Sequence, residues 1–95
     1  MKKYLILVKK SRPKIERVLT EASTLQIAIG NALDGLEYDN IELSVESVYE
    51  LPFMGDEEFD GVDPKNLSIE SLRARGATPA PAEVWMPFVE ELGYS

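Results

Sequence analysis

The stretch Tyr4-Leu5-Ile6-Leu7-Val8 constrains the fold more than any other, because its side chains are apolar at both odd and even positions. Successive side chains of a β-strand point to opposite faces of the sheet, so both faces of this strand need a cover. The stretch therefore predicts a strand in the middle of a sheet, with protein packed on both sides.

Residues 14–22 predict a second strand, which folds back on the first as a hairpin. The connection contains Ser11 and Pro13, which are typical of turns because serine forms local hydrogen bonds and proline has no N–H to donate. Val18 and Leu19 are adjacent apolar residues, so the pattern does not determine the register of this strand.

An amphipathic helix is predicted next. Its start matches a capping box, with Ser23 as the N-cap and Gln26 as the third helical residue, and Gly35 is the predicted stop. Ile27 lies on the face opposite the apolar stripe. The stripe follows the helical spacing and contains Leu25, Ala28, Ile29, Ala32, Leu33 and Leu36.

Residues 40–53 alternate between apolar and polar side chains, which predicts a third strand with a buried odd face and an acidic even face. The even face carries Glu42, Glu46 and Glu50, with Val48 as its lone apolar residue. A right-handed helical crossover makes strand three parallel to strand two, and the apolar first strand fits between them. The prediction is an α+β fold with a ββαβ core. Its sheet is three-stranded, mostly antiparallel and ordered 2-1-3, with the helix on one face.

The C-terminal part changes character after this core. Residues 55–64 read as an acidic loop, residues 68–75 as a short helix, and residues 78–81 as a proline-stiffened connector. Residues 82–92 predict a helix that is short or broken at Pro87. We expect one domain, in which residues 1–54 form the core and residues 55–95 form an extension with short helices packed on it.

The amino-acid composition excludes several kinds of catalytic and metal-binding site. The chain has no cysteine and no histidine, which removes disulfides, thiolate nucleophiles, imidazole bases and Cys/His zinc sites. The acidic loop has a glycine at the sixth position of a calcium-loop template, but Leu67 stands where a bidentate glutamate belongs. We expect a non-catalytic protein without a cofactor or metal. Short apolar runs and the lack of cysteine favour a cytoplasmic protein that does not enter a membrane.

Charge is distributed unevenly along the chain. Residues 1–17 carry a net charge of +6 and residues 18–95 a net charge of −13. The basic hairpin suggests contact with the phosphates of single-stranded DNA or RNA, with Tyr4 stacking on a base. The alternative is that these cations neutralise the acidic remainder or keep an edge strand from aggregating. The basic side chains concerned are Lys9, Lys10, Arg12 and Lys14.

The C-terminal segment carries a stripe of large apolar side chains, Trp85, Phe88 and Leu92. Together with Leu67, Ile69 and Leu72, the stripe can cover the second face of the sheet. Alternatively, it docks in the groove of a partner protein. The leading hypothesis combines this docking stripe with the acidic surface of Glu42, Glu46 and Glu50, as a protein-interaction or regulatory module.

Small size, acidity and the lack of a catalytic constellation are similar in kind to small accessory proteins of phages and mobile elements. This similarity implies a host protein as the partner. A further hypothesis is mimicry of nucleic acid, in which the glutamate row Glu42, Glu46 and Glu50 imitates phosphates. A homodimer is compatible with the pattern, either through strand edges or through Ile27.

Overall fold

The computed structural model describes residues 1–10, 14–34 and 43–92. Within these ranges the chain forms four strands, four helices and a 3₁₀ turn over Pro64–Asn66. The strands are β1 (Lys2–Lys10), β2 (Lys14–Ala22), β3 (Leu43–Glu50) and β4 (Thr78–Pro79). The helices are α1 (Leu25–Asp34), α2 (Asp56–Gly61), α3 (Ile69–Arg75) and α4 (Ala82–Glu91).

The sheet has the order β2-β1-β3-β4, and each neighbouring pair is antiparallel. The mixed α+β class and the central place of β1 are therefore confirmed, and β3 runs parallel to β2 as predicted. The prediction of three strands is wrong, because the expected connector supplies β4. Its two residues pair with Tyr49 and Glu50, and so short a strand has no period for sequence analysis to detect.

A β-bulge in β3 changes which of its side chains face the core. Leu7 pairs with Ser47 and the next residue, Val8, pairs with Val45, so Glu46 is the extra residue. The bulge places Val45 and Val48 together in the cluster on the α1 face. The predicted division of β3 into an odd buried face and an even acidic face is therefore wrong.

Two apolar clusters cover the two faces of β1, as its composition predicts. The first face, defined as the face covered by α1, also receives α4, because Trp85 and Val89 are buried in the same cluster. The sequence analysis assigned Trp85 to the opposite face. The main members of the first cluster are Tyr4, Ile6, Val8, Ala28, Ile29, Ala32, Leu33, Val45, Val48, Trp85 and Val89.

Helix α1 begins one residue later than predicted. Thr24, not Ser23, caps it, because the N–H of Ile27 donates to Thr24 Oγ1 at 3.3 Å. Gln26 instead donates to Glu91 of α4 at 3.1 Å. Four stripe residues are buried as predicted and Leu25 packs against them, whereas Leu36 and the predicted stop Gly35 lie outside the described residues.

The second face is covered by the chain from β3 to α3. Leu5 packs there with Leu51, Met54 and Leu72. The predicted acidic loop contains helix α2 instead, and the three acidic residues of its first turn interact favourably with the positive end of the helix dipole.

The predicted short helix is α3. It is capped by Ser68 and ends at Gly76, whose φ of 118° is a left-handed conformation that glycine adopts without strain. Helix α4 continues through Pro87 without a break, although the proline removes one backbone hydrogen bond. Burial of Trp85 and Val89, on either side of Pro87, favours the continuous helix.

Ion pairs attach α2 to the rest of the molecule. The buried ammonium of Lys3 lies 2.5 Å from Asp56 and 3.5 Å from Glu21, and hydrogen bonding raises the pKa of Lys3 and lowers the pKa of Asp56. Arg75 binds both carboxylate oxygens of Glu58, at 2.6 and 2.8 Å, which lowers the pKa of Glu58. Its guanidinium also lies 4.4 Å from the ring centroid of Phe53.

None of the helices in the described part of the chain combines the length and the apolar character needed to cross a membrane.

Candidate functional site

The outer side of β2 can be identified from one hydrogen bond on the other side of β1. The N–H of Leu51 donates to the carbonyl of Lys3 at 2.9 Å, so the backbone groups of Lys3 point toward β3. In an antiparallel sheet the backbone groups of successive residues point to opposite sides. Tyr4, Ile6 and Val8 therefore point toward β2.

Their partners on β2 are Thr20, Val18 and Glu16, whose backbone groups point inward. The backbone groups of the odd-numbered residues then point away from the sheet, one N–H and one C=O from each residue. No backbone hydrogen bond to these groups occurs among the described residues. We call this row the open edge, and it consists of Ile15, Arg17, Leu19 and Glu21.

The side chains of the open edge lie on the second face of the sheet. Ile15 is 48% exposed, and Leu19 packs partly against the second cluster. Arg17 donates one guanidinium hydrogen bond to the carbonyl of Leu67, and Glu21 is paired with Lys3. The edge therefore combines unpartnered backbone groups with one cation, one anion and two aliphatic side chains.

The opposite edge of the sheet is closed. The N–H of Ala80 donates to the carbonyl of Val48 at 2.9 Å, so Thr78 and Ala80 point inward and Pro79 points outward. Proline has no N–H, and an outward edge position is where a sheet tolerates it. Beyond β4, the exposed bulge residue Glu46 interrupts the outer side of β3.

A basic groove lies on the second face beside the open edge. It has a volume of about 440 Å³ and is lined by Leu7, Ile15, Glu16, Arg17 and Lys65. Lys9 pairs across the sheet with Ile15 and is exposed. Sequence analysis missed Lys65, because only the return of the chain after α2 brings it to the hairpin.

Of the residues predicted to bind nucleic acid, Lys9 is the cross-strand neighbour of the groove residue Ile15 and does not line the groove itself. Lys10 and Lys14 end β1 and begin β2, and Arg12 lies outside the described residues. Tyr4 is only 4% exposed and belongs to the first cluster. Burial, with a smaller effect of Glu50, raises the pKa of Tyr4, and its ring is not available for stacking on a base.

The predicted docking stripe on α4 is divided by burial. Trp85 is 6% exposed, Phe88 is half-buried and Leu92 is 44% exposed. A cleft of about 230 Å³ reaches Trp85 between Met86 and Glu90. Trp85 and Phe88 therefore contribute to the core, and the exposed apolar surface of this segment includes Leu92 and Met86.

The glutamates predicted to form one row on β3 have different surroundings. Glu46 is exposed in the bulge, Glu50 lies 3.8 Å from Lys2, and Glu42 lies outside the described residues. Val48, between Glu46 and Glu50, is fully buried.

The acidic residues of the predicted loop have local structural contacts. Asp56 and Glu58 are in ion pairs, and Asp63 caps the 3₁₀ turn by accepting from the N–H of Lys65 at 3.0 Å. In the ranges that the structure describes, no three carboxylates converge in a way that could hold a metal ion.

Comparison of the chain with known protein families, with curated proteins and with solved structures finds no match.

Proposed function

We propose that this protein is a non-catalytic protein-interaction module that binds its partner as an added strand along the open edge. The observation that carries the proposal is the outward row of Ile15, Arg17, Leu19 and Glu21. An extended segment laid antiparallel to β2 satisfies these backbone groups, and the side chains beside them select the segment.

The contrast between the two edges supports this proposal. Natural sheets protect their edges with prolines, bulges, short strands or charged side chains, because an unprotected edge pairs with other chains. The edge formed by β3 and β4 has the first three devices. The outward row of β2 has only the charges of Arg17 and Glu21, and β2 pairs with β1 over nine residues without a register shift. Each backbone hydrogen bond formed on the open edge contributes about 0.5 to 1.5 kcal/mol net.

The test distinguishes the contribution of the Leu19 backbone N–H to binding from that of the Leu19 side chain. Leu19→Pro removes the outward N–H, and Leu19→Ala is the matched control that keeps it. Each variant is immobilised, and the proteins captured from a lysate of cells that express this chain, including the chain itself, are quantified by mass spectrometry beside those captured by the wild type. We expect specific capture to fall at least about tenfold with Leu19→Pro, equivalent to about 1.4 kcal/mol, and to persist with Leu19→Ala.

Circular dichroism of both variants confirms that the fold is retained. Equal capture by folded Leu19→Pro and by the wild type would contradict the proposal, because the outward N–H would then have no part in binding.

The basic groove favours a second candidate function, the binding of single-stranded nucleic acid. Arg17 and Lys65 line the groove beside one carboxylate, Glu16, and Ile15 adds an apolar wall. Lys9 lies across the sheet from Ile15. The net charge of −7 opposes long-range attraction of phosphates, which is why the open edge is preferred. Fluorescence anisotropy with single-stranded oligonucleotides at low salt tests this candidate. Binding must weaken with Lys9→Glu and Lys65→Glu, and absence of binding to the wild type rejects it.

A further inference from the structure

The charges on the open edge are complementary to those of the same edge turned through a two-fold axis. We infer that the added strand is β2 of a second copy of this chain, paired antiparallel about a two-fold axis at Leu19. The axis passes midway between the two strands, so Leu19 of one copy faces Leu19 of the other, and we call this an axis through Leu19. The inference rests on the proposed function of the open edge and names its occupant.

The backbone geometry limits the registers that two copies of β2 can adopt. Only outward-pointing residues can exchange hydrogen bonds between the copies, so odd-numbered residues must face odd-numbered residues. A two-fold axis perpendicular to the sheet meets this condition when it passes through a residue of β2. An axis between two residues sets odd against even positions, and no ladder forms.

Side-chain pairing then discriminates between the axes near the middle of β2. An axis through Arg17 sets the two guanidinium groups opposite each other, which is destabilising. An axis through Val18 leaves Arg17 opposite Leu19, so the cation faces an apolar side chain. An axis through Leu19 sets Arg17 opposite Glu21 at both ends of the contact and Val18 opposite Thr20. Axes closer to the ends of β2 shorten the paired length.

The surroundings of these residues fit the Leu19 axis. Arg17 uses one guanidinium hydrogen bond on the carbonyl of Leu67, and its other donors can reach the Glu21 carboxylate of the second copy. Glu21 lies 3.5 Å from Lys3 of β1, so its carboxylate is held on the second face before association. The half-buried Leu19 side chains of the two copies meet on the second face and join their apolar clusters. The product is one continuous sheet made of two four-stranded sheets.

A charge exchange tests the inference. Sedimentation equilibrium is expected to show a wild-type dimer. Arg17→Glu and Glu21→Arg each set like charges opposite each other at both ends, so each is expected to raise the dimer dissociation constant at least about tenfold. The double variant restores opposite charges and is expected to restore association. Because Glu21 also pairs with Lys3, the fold of every variant is checked by thermal unfolding.

A cysteine cross-link tests the position of the axis without changing a charge. The chain has no cysteine, so a single introduced cysteine reports only contacts between copies. Residues in a hydrogen-bonded antiparallel pair have Cα atoms about 5.5 Å apart, within the range that a disulfide spans. We expect Leu19→Cys to form covalent dimers in mild oxidant. The control Ile27→Cys, at an exposed position of α1, is expected to remain monomeric on a denaturing gel.

The outcomes separate this inference from the proposed function. A wild type that is monomeric at every concentration, or one that cross-links through Ile27→Cys and not Leu19→Cys, overturns the self-pairing. If Leu19→Pro still loses capture of another protein in that case, the open edge keeps its function with a different occupant. If capture is also indifferent to Leu19→Pro, both proposals fail.

Discussion

The two edges of the sheet differ in how they are built and in what they leave exposed. The edge formed by β3 and β4 is covered by a two-residue strand with a proline on its outer side and is interrupted by a bulge at Glu46. The edge formed by β2 is nine residues long, pairs with β1 without a register shift and has an unpartnered outward row in the described part of the chain.

The difference shows that chain connectivity determines which edge of a small sheet is protected. The protected edge uses residues 78–80, which follow the elements of the second layer in the chain and pair with the distant strand β3. The open edge belongs to the N-terminal hairpin, which forms from local contacts.

The largest expected effect comes from proline at neighbouring positions of β2. Val18 points inward, so Val18→Pro removes a hydrogen bond to Ile6 and leaves a buried carbonyl without a donor. Relative to Val18→Ala, we expect it to lower the free energy of unfolding by about 3 kcal/mol. Leu19→Pro relative to Leu19→Ala is expected to cost under about 1 kcal/mol, because edge positions tolerate proline. Urea denaturation measures the two losses of unfolding free energy. Equal losses at the two positions would disprove the assignment of Val18 as inward-pointing and Leu19 as outward-pointing.

A smaller effect is expected from the contact that joins the open edge to α2. Lys3 bridges Glu21 and Asp56, and the hydrogen bond lowers the pKa of Asp56 below its ordinary value. A lowered folded-state pKa contributes stability that is present above the unfolded pKa and lost as pH falls through the folded one. The raised pKa of Lys3 sets the limit at high pH. Its contribution to stability is present below the unfolded-state pKa and is lost as the pH rises through the folded-state pKa.

We therefore expect wild type to exceed Asp56→Asn in unfolding free energy between about pH 5 and pH 10, and the difference to shrink on both sides. Asp56 is largely exposed, so salt should reduce the difference. Denaturant titrations across pH measure it, with Glu57→Gln as the matched control on the same helix. A difference that grows as the pH falls below 4 would have the wrong sign for this contact.

The smallest effect is expected on the closed edge. Pro79→Ala adds an N–H that points to solvent and breaks no contact of the ladder, so the change acts mainly through the flexibility of the unfolded chain. We expect a loss of about 0.5 kcal/mol in urea denaturation. The oligomeric state should stay unchanged, because the exposed stretch is too short for a second strand. A new oligomer would show that Pro79 alone keeps this edge closed.

The elements that could be predicted are those with a local signal. The continuous apolar run of β1 indicates its central position, and the bounds predicted for β2 agree with the structure. The bulge at Glu46 could not be placed, although Val48 on the supposed acidic face was its signature. The side-chain pattern records only a change of face, and the pairing with β1 shows which residue is extra.

The candidate site was harder to predict than the fold. The hairpin was recognised as an edge carrying charge, but the outward row depends on the direction of backbone groups, which alternation of side chains does not specify. Lys65 joins the groove from a distant segment. Trp85 has the character of a docking residue in the sequence and of a core residue in the structure, because large apolar side chains serve in both places.

The sequence by itself determined the local elements: a central apolar strand, a hairpin, a capped helix with one buried stripe, and a chain without cysteine or histidine chemistry. The tertiary structure alone decided which face α4 covers, where β3 changes face, and which edge of the sheet stays open. The physical reason is the distance along the chain over which each interaction acts. Periodicity and capping act within a few residues, whereas edge protection depends on which distant segment packs beside each strand.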